Sequence, residues 1–241
     1  MKSERKAEMA STVRENEKTE IKGGFRGLIY KYRHIWALLY IPIYFVWFFG
    51  LEGIVARAND IHIIHTPIDD MIPFCELFII PYYIWFLFVP VPGFFYFFTN
   101  REEYYRYCIF IFTGMSSALL ICTLWHNGLN LRPDLATLGR DNLFVHVVGR
   151  LYKVDTAQNV CPSIHVINSI GAAISILHSE RLKKSKALTY GGIVVAALIC
   201  VSTMFLKQHS IVDVVAGCLM CVPLYFLAYR TKLKNVEPEI N

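Results

Sequence analysis

The chain has 241 residues, of which 55% are hydrophobic and 15% aromatic, and its formal net charge is +5. Soluble domains are about 45–50% apolar; the excess here is gathered into long runs, which excludes an ordinary soluble domain and indicates a polytopic membrane protein. The basic residues flank those runs, so they set membrane orientation and argue against a nucleic-acid partner.

Residues 1–34 are polar and rich in Lys and Glu. They read as a flexible tail, with Gly23-Gly24 as a break and Phe25 to Tyr32 as a possible surface helix. The first span is expected over 35–51, with Trp36 and Trp47 near its ends. A polar loop with Pro67, Asp69 and Asp70 follows. The second span, 74–98, contains Pro81, Pro90 and Pro92, which imply kinks that neighbouring helices must satisfy. Residues 100–106 read as a short charged loop and 107–125 as the third span. Within the long loop 126–161, Leu143, Phe144, Val147, Val148 and Leu151 recur at helical spacing, which predicts an amphipathic helix lying on the bilayer. The fourth span is expected over 162–177, the fifth over 187–205 and the sixth over 209–229, before a polar tail over 230–241. The predicted fold is all-α, a polytopic helical bundle with six transmembrane helices over 35–229.

The seven cysteines give no disulfide framework. Five of them (Cys108, Cys122, Cys200, Cys218 and Cys221) fall in apolar runs, where cysteine behaves as a small hydrophobe. Six spans place both termini on one side. On that side the tails and loops carry 18 of the 24 Lys and Arg, and on the other side 6. The positive-inside rule then makes both termini cytoplasmic.

That topology brings three distant stretches to the non-cytoplasmic surface, all within 126–214: HNGLNLRPD at 126–134, CPSIH at 161–165, and the start of the last span at His209 and Asp213. Four residues apart on a helix, His209 and Asp213 share a face. A carboxylate inside an apolar run is costly, and beside an imidazole it fixes the tautomer a nucleophile or base needs. Arg132 offers a permanently charged fork for phosphate oxygens. Ser163 is placed to cap a helix whose free amides make an anion site. His165 can donate a proton to a leaving oxygen. Each residue alone has an ordinary explanation, as a headgroup arginine, a plain cap or a packing pair. Together at one membrane face they suit phosphoryl transfer.

Pro162-Ser163-Ile164-His165 resembles the PSxH motif of the type 2 phosphatidic acid phosphatase superfamily. Ser202 with His209 and Asp213 resembles its SRxxxxxHxxxD motif, and Arg132-Pro133 the end of its KxxxxxxRP motif. The resemblance runs from about Trp125 to Gly217. It implies that His209 attacks phosphorus, Asp213 orients its ring, His165 protonates the leaving alcohol, and Arg132 and Ser163 hold the phosphoryl oxygens without a metal or other cofactor. The family lysine falls at Trp125 and the family arginine at Thr203; Lys207 is the candidate replacement for one of them. Lipid phosphotransferases of the same superfamily, those resembling inositol phosphorylceramide or sphingomyelin synthases, also lack these cations. The expectation is therefore a membrane lipid phosphatase acting on a lipid phosphate at the non-cytoplasmic face. The alternatives are a phospholipid head-group transferase, a pyrophosphate-lipid phosphatase and, outside enzymes, a transporter or structural membrane protein in which His209 and Asp213 form a packing or proton-relay pair.

Overall fold

The structure is a computed structural model, described here for residues 31–58 and 60–233. Most of the expected N-terminal tail and surface helix, and residues 234–241 of the C-terminal tail, lie outside the described residues.

The described chain is mainly helical. A 3-10 turn, Arg33–Leu39, leads into α1, Tyr40–Val55. A two-residue strand β1, His62–Ile63, and a short helix α2, Pro67–Met71, fill the loop after α1. The second apolar run forms α3, Ile79–Phe88, and α4, Pro90–Thr99. The break between them falls where Pro90 and Pro92 withhold their N–H groups. Tyr107 donates its hydroxyl to the Val89 carbonyl at that break, which is how a neighbouring helix satisfies an interrupted span.

Helix α5, Arg101–Leu124, begins earlier than the sequence suggests, so 101–106 is helix and not loop. Asn100 caps it by accepting from the amides of Glu102 and Glu103, and those two acids favour the positive end of the helix dipole. Strand β2, Asn127–Gly128, pairs in parallel with β1. The amphipathic helix expected in the long loop is α6, Leu143–Val154, which buries Val145, Val148 and Leu151, the last two against Ile79, Tyr82 and Leu206. The remaining helices are α7, Ile164–His178, α8, Lys186–Phe205, and α9, Ile211–Tyr225; a π-helical turn, Phe226–Arg230, ends the last.

Among the described residues, five helical segments are long and apolar enough to cross a membrane: Arg33–Val55, Glu76–Thr99, Arg101–Leu124, Lys186–Phe205 and Ile211–Arg230. Large apolar side chains on them face outward, among them Val46 at 77% and Leu87 at 69% exposure. Such continuous apolar surface is compatible with lipid and not with water. The stretch expected as the fourth span is α7, which has 15 residues. At 1.5 Å per residue it is about 22 Å long, less than a hydrocarbon core of about 30 Å.

Helix α7 lies at the centre, packed on α5, α8 and α9. Small residues allow this. A Cβ on Gly171 would meet the Phe110 ring at 2.5 Å, and one on Gly217 would meet the Ser163 carbonyl at 3.1 Å. The second contact sets how closely α9 approaches the first turn of α7, where the candidate site lies.

Candidate active site

The site is built on the N-termini of α7 and α9. Ser210 caps α9, and a capping box forms: the Ser210 hydroxyl accepts from the helix, and Asp213 reaches back to accept from the Ser210 amide at 2.9 Å. His209 therefore precedes the helix instead of starting it. The pair still meets, because the carboxylate turned back over the helix end also lies 3.3 Å from His209 Nδ1. A carboxylate only accepts, so His209 carries its proton on Nδ1 and exposes a lone pair on Nε2. That nitrogen lies 3.3 Å from Nδ1 of His165. Asp213, His209 and His165 thus form one line of contacts, with Asp213 fully buried and both histidines 7% exposed.

His165 sits in the first turn of α7, which Ser163 caps by accepting from the Val166 amide. The Ser163 amide donates to the Asp213 carbonyl at 3.2 Å, which ties the two helix starts together. Upstream, the buried Asn127 holds the approach to Pro162. Its Oδ1 accepts from the amides of Val160 and Cys161, and its Nδ2 donates to the Cys161 carbonyl. Glu52, near the end of α1, accepts from Thr156 and Asn159 and anchors the same loop from outside.

Arg132 reaches this cluster through Gln208. Its guanidinium donates to the Tyr152 carbonyl at 3.1 Å, to the Asp155 carbonyl at 2.7 Å and to the Gln208 side chain, and it stacks 4.4 Å from the Tyr152 ring centroid. Its Nε is buried without a partner. Burial pulls the Arg132 pKa below the ordinary arginine value, and the Asp155 charge opposes this. An arginine starts so high that it stays charged. Lys207 is arranged differently. Its backbone is left-handed, with φ 55°, and its ammonium donates to the carbonyls of Asp69 and Ile72. Burial lowers its pKa, against the charges of Asp69 and Asp70. The structure thus brings His209, His165, Asp213 and Ser163 together, links Arg132 to them by one side chain, and turns Lys207 toward the loop that carries α2.

Several residues at the site were not singled out from sequence. Tyr82 and Trp85, on α3, flank His165 with ring centroids 4.8 and 4.6 Å away. Tyr82 donates to Asp155. Asp69 accepts from the Ser210 hydroxyl at 2.7 Å and from the Ile211 amide at 2.8 Å, so the loop that carries α2 braces the His209 turn. Two signals were available: Thr66-Pro67-Ile68-Asp69 and Ser210-Ile211-Val212-Asp213 both have the capping-box pattern. Nothing in the spacing of Tyr82, Trp85 or Asp155 points to a site. At the two positions where the family carries further cations, Trp125 packs on His62, and Thr203 donates its hydroxyl to the Cys200 carbonyl.

Among the described residues, no group of three or more His, Cys, Asp or Glu is arranged as a metal ligand set. No curated protein and no solved structure matches the chain. A family model described as PAP2 superfamily matches residues 105–237, the segment from α5 onward that carries Arg132, Ser163, His165, His209 and Asp213. With more than half of its length matched, and its motif residues meeting at the paired starts of α7 and α9, the chain belongs to the PAP2 superfamily.

Proposed function

We propose that the protein is an integral membrane, metal-independent lipid phosphate phosphatase that works through a phosphohistidine, with both termini cytoplasmic and the site at the non-cytoplasmic face. The observation that carries this reading is the Asp213–His209–His165 line, with both contacts at 3.3 Å. Asp213 holds the proton on His209 Nδ1, which leaves Nε2 to attack. The Nε2–P bond forms as the P–O bond to the lipid alcohol breaks, and His165 gives its proton to the departing oxygen. Water then attacks the phosphohistidine, the N–P bond breaks, and His165 takes the proton back. Arg132 and the first-turn amides of α7 neutralise the spreading charge, with Ser163 fixing that turn.

The histidine nitrogens in contact at 3.3 Å must part to admit a phosphoryl group. An attacking nitrogen about 3–3.5 Å from phosphorus and a proton donor within about 3 Å of the leaving oxygen require a gap of about 6 Å.

A second reading, head-group transfer to a lipid alcohol in place of water, is favoured by one observation. Trp125 and Thr203 stand where family cations are expected, and the Lys207 ammonium spends two of its protons on carbonyls.

One experiment tests the shared chemistry. The purified protein is incubated with ³²P-labelled phosphatidic acid in excess EDTA, with and without an acceptor lipid. The expected product is an acid-labile phosphohistidine, which vanishes in His209→Ala. His165→Ala should lose lipid turnover but still release a burst of p-nitrophenol from p-nitrophenyl phosphate, whose leaving group departs without a proton. Persistence of the labelled intermediate in His209→Ala would refute the assignment.

A further inference from the structure

The mechanism above leaves one half-buried carboxylate at the site without a task. Asp155 follows α6 and points its carboxylate at the site. Its Oδ2 accepts the Tyr82 hydroxyl at 2.5 Å and lies 3.4 Å from Nε2 of Gln208. Tyr82 packs on the His165 ring, and Gln208 precedes His209 and holds Arg132. The carboxylate is therefore one side chain away from each of the groups assigned to the phosphoryl group. Both of its bonded donors are neutral. The Arg132 guanidinium attracts this charge but makes its hydrogen bond to the Asp155 backbone carbonyl and not to the carboxylate.

From this charge arrangement we propose that Asp155 is a specificity residue, which biases the site toward phosphoryl groups carrying one negative charge. The inference rests on the phosphohistidine chemistry common to both readings and favours the second, whose substrate is a phosphodiester. A lipid phosphomonoester brings two charges at neutral to alkaline pH and a phosphodiester one. The site meets them with one guanidinium, of which three N–H groups are already engaged. Lys207 directs its ammonium elsewhere. Apart from the proton that His165 surrenders in the reaction, Arg132 is the fixed cation of the site, and a fixed carboxylate stands close to it, so a second charge on the substrate is disfavoured. In a partly buried site, one unit charge at this range changes relative binding by about tenfold or more. The chemistry is the same for either class: His209 Nε2 forms the bond to phosphorus, and the lipid alcohol departs with the His165 proton.

The test uses a matched pair on the full-length protein in lipid nanodiscs at about pH 8: phosphatidic acid, and phosphatidylmethanol with the same acyl chains. Both release the same diacylglycerol, and they differ by one charge. Asp155→Asn keeps an acceptor for Tyr82 and removes the charge. It should raise kcat/KM for phosphatidic acid relative to phosphatidylmethanol by about tenfold. Gln208→Glu adds a charge and should move the ratio the other way, which keeps the test alive if the first variant does not fold. Tyr82→Phe removes the hydrogen bond and keeps the charge, so the ratio should not move toward the monoester. A ratio that stays within about twofold in both charge variants, while His209 is still labelled, overturns the role of Asp155 alone. If the wild-type protein labels no histidine and releases diacylglycerol from neither lipid, the phosphohistidine reading falls and this inference with it.

Discussion

At the level of single residues, the Asp213 carboxylate is shared between a backbone amide and an imidazole. Its Oδ2 accepts from the Ser210 amide and faces His209 Nδ1, while its Oδ1 is buried without a partner. Asn at this position retains an oxygen acceptor for the helix cap but removes the charge that supports an imidazolium and fixes the tautomer. Asp213→Asn should therefore fold normally and lose rate by about 10²–10⁴-fold, by analogy with the aspartate of serine-protease triads. Turnover of p-nitrophenyl phosphate alongside a thermal melt checks this. A rate within about threefold of wild type would remove Asp213 from the mechanism.

At the level of elements, two contacts fix the start of α9. The first is Gly217. A Cβ there would meet the Ser163 carbonyl and Val166 at 3.1 Å, and a backbone carbonyl at a helix start yields little. Gly217→Ala should push α9 from α7 by a few tenths of an ångström, lower kcat by about tenfold and destabilise by about 1–3 kcal/mol. Steady-state kinetics and a melt separate the two effects; unchanged kcat would mean the site does not depend on this approach.

The second contact is Asp69, which ties α2 to the His209 turn. Burial pushes its pKa up, but hydrogen bonds from the Ile211 amide, the Ser210 hydroxyl and Thr66 outweigh this and hold it below the usual carboxylate range. A carboxyl more acidic folded than unfolded stabilises above its unfolded pKa of about 4, and that stability is lost as the pH falls through the lower folded value. Asp69→Asn should cost about 2 kcal/mol near neutral pH and flatten the loss of stability in acid. Melts between about pH 3 and 7 measure it; parallel curves for the two proteins would show that Asp69 contributes no linkage.

At the level of the whole molecule, the charge distribution and the apolar helices are read together. The five apolar segments fit a membrane, and the 18-to-6 split of basic residues predicts which side is cytoplasmic. Ala136 lies exposed in the loop that carries Arg132, and Lys184 lies exposed between α7 and α8. With the native cysteines replaced, a cysteine at Ala136 should react with an impermeant maleimide on intact cells, and one at Lys184 only after permeabilisation. The opposite pattern would put the site on the cytoplasmic face.

What the sequence determined by itself was whatever depends on local composition and spacing. Apolar runs located the long helices, because a membrane span is decided by the transfer of consecutive side chains. The period in 143–151 located α6. The motif spacing identified His165, His209, Asp213, Arg132 and Ser163, since the chemistry constrains the residue types themselves. The start of α5 was misplaced because charged residues after Asn100 look like loop until the cap is recognised. Only the tertiary structure decided how Arg132 is shared with Gln208 and where the Lys207 ammonium goes, because both depend on carbonyls far away in sequence. It alone brought Tyr82, Trp85, Asp69 and Asp155 to the histidines, through packing between the first half of the chain and the second. Contacts at such separation are fixed by which helix faces pair, and that information is spread over the whole chain instead of residing in any motif.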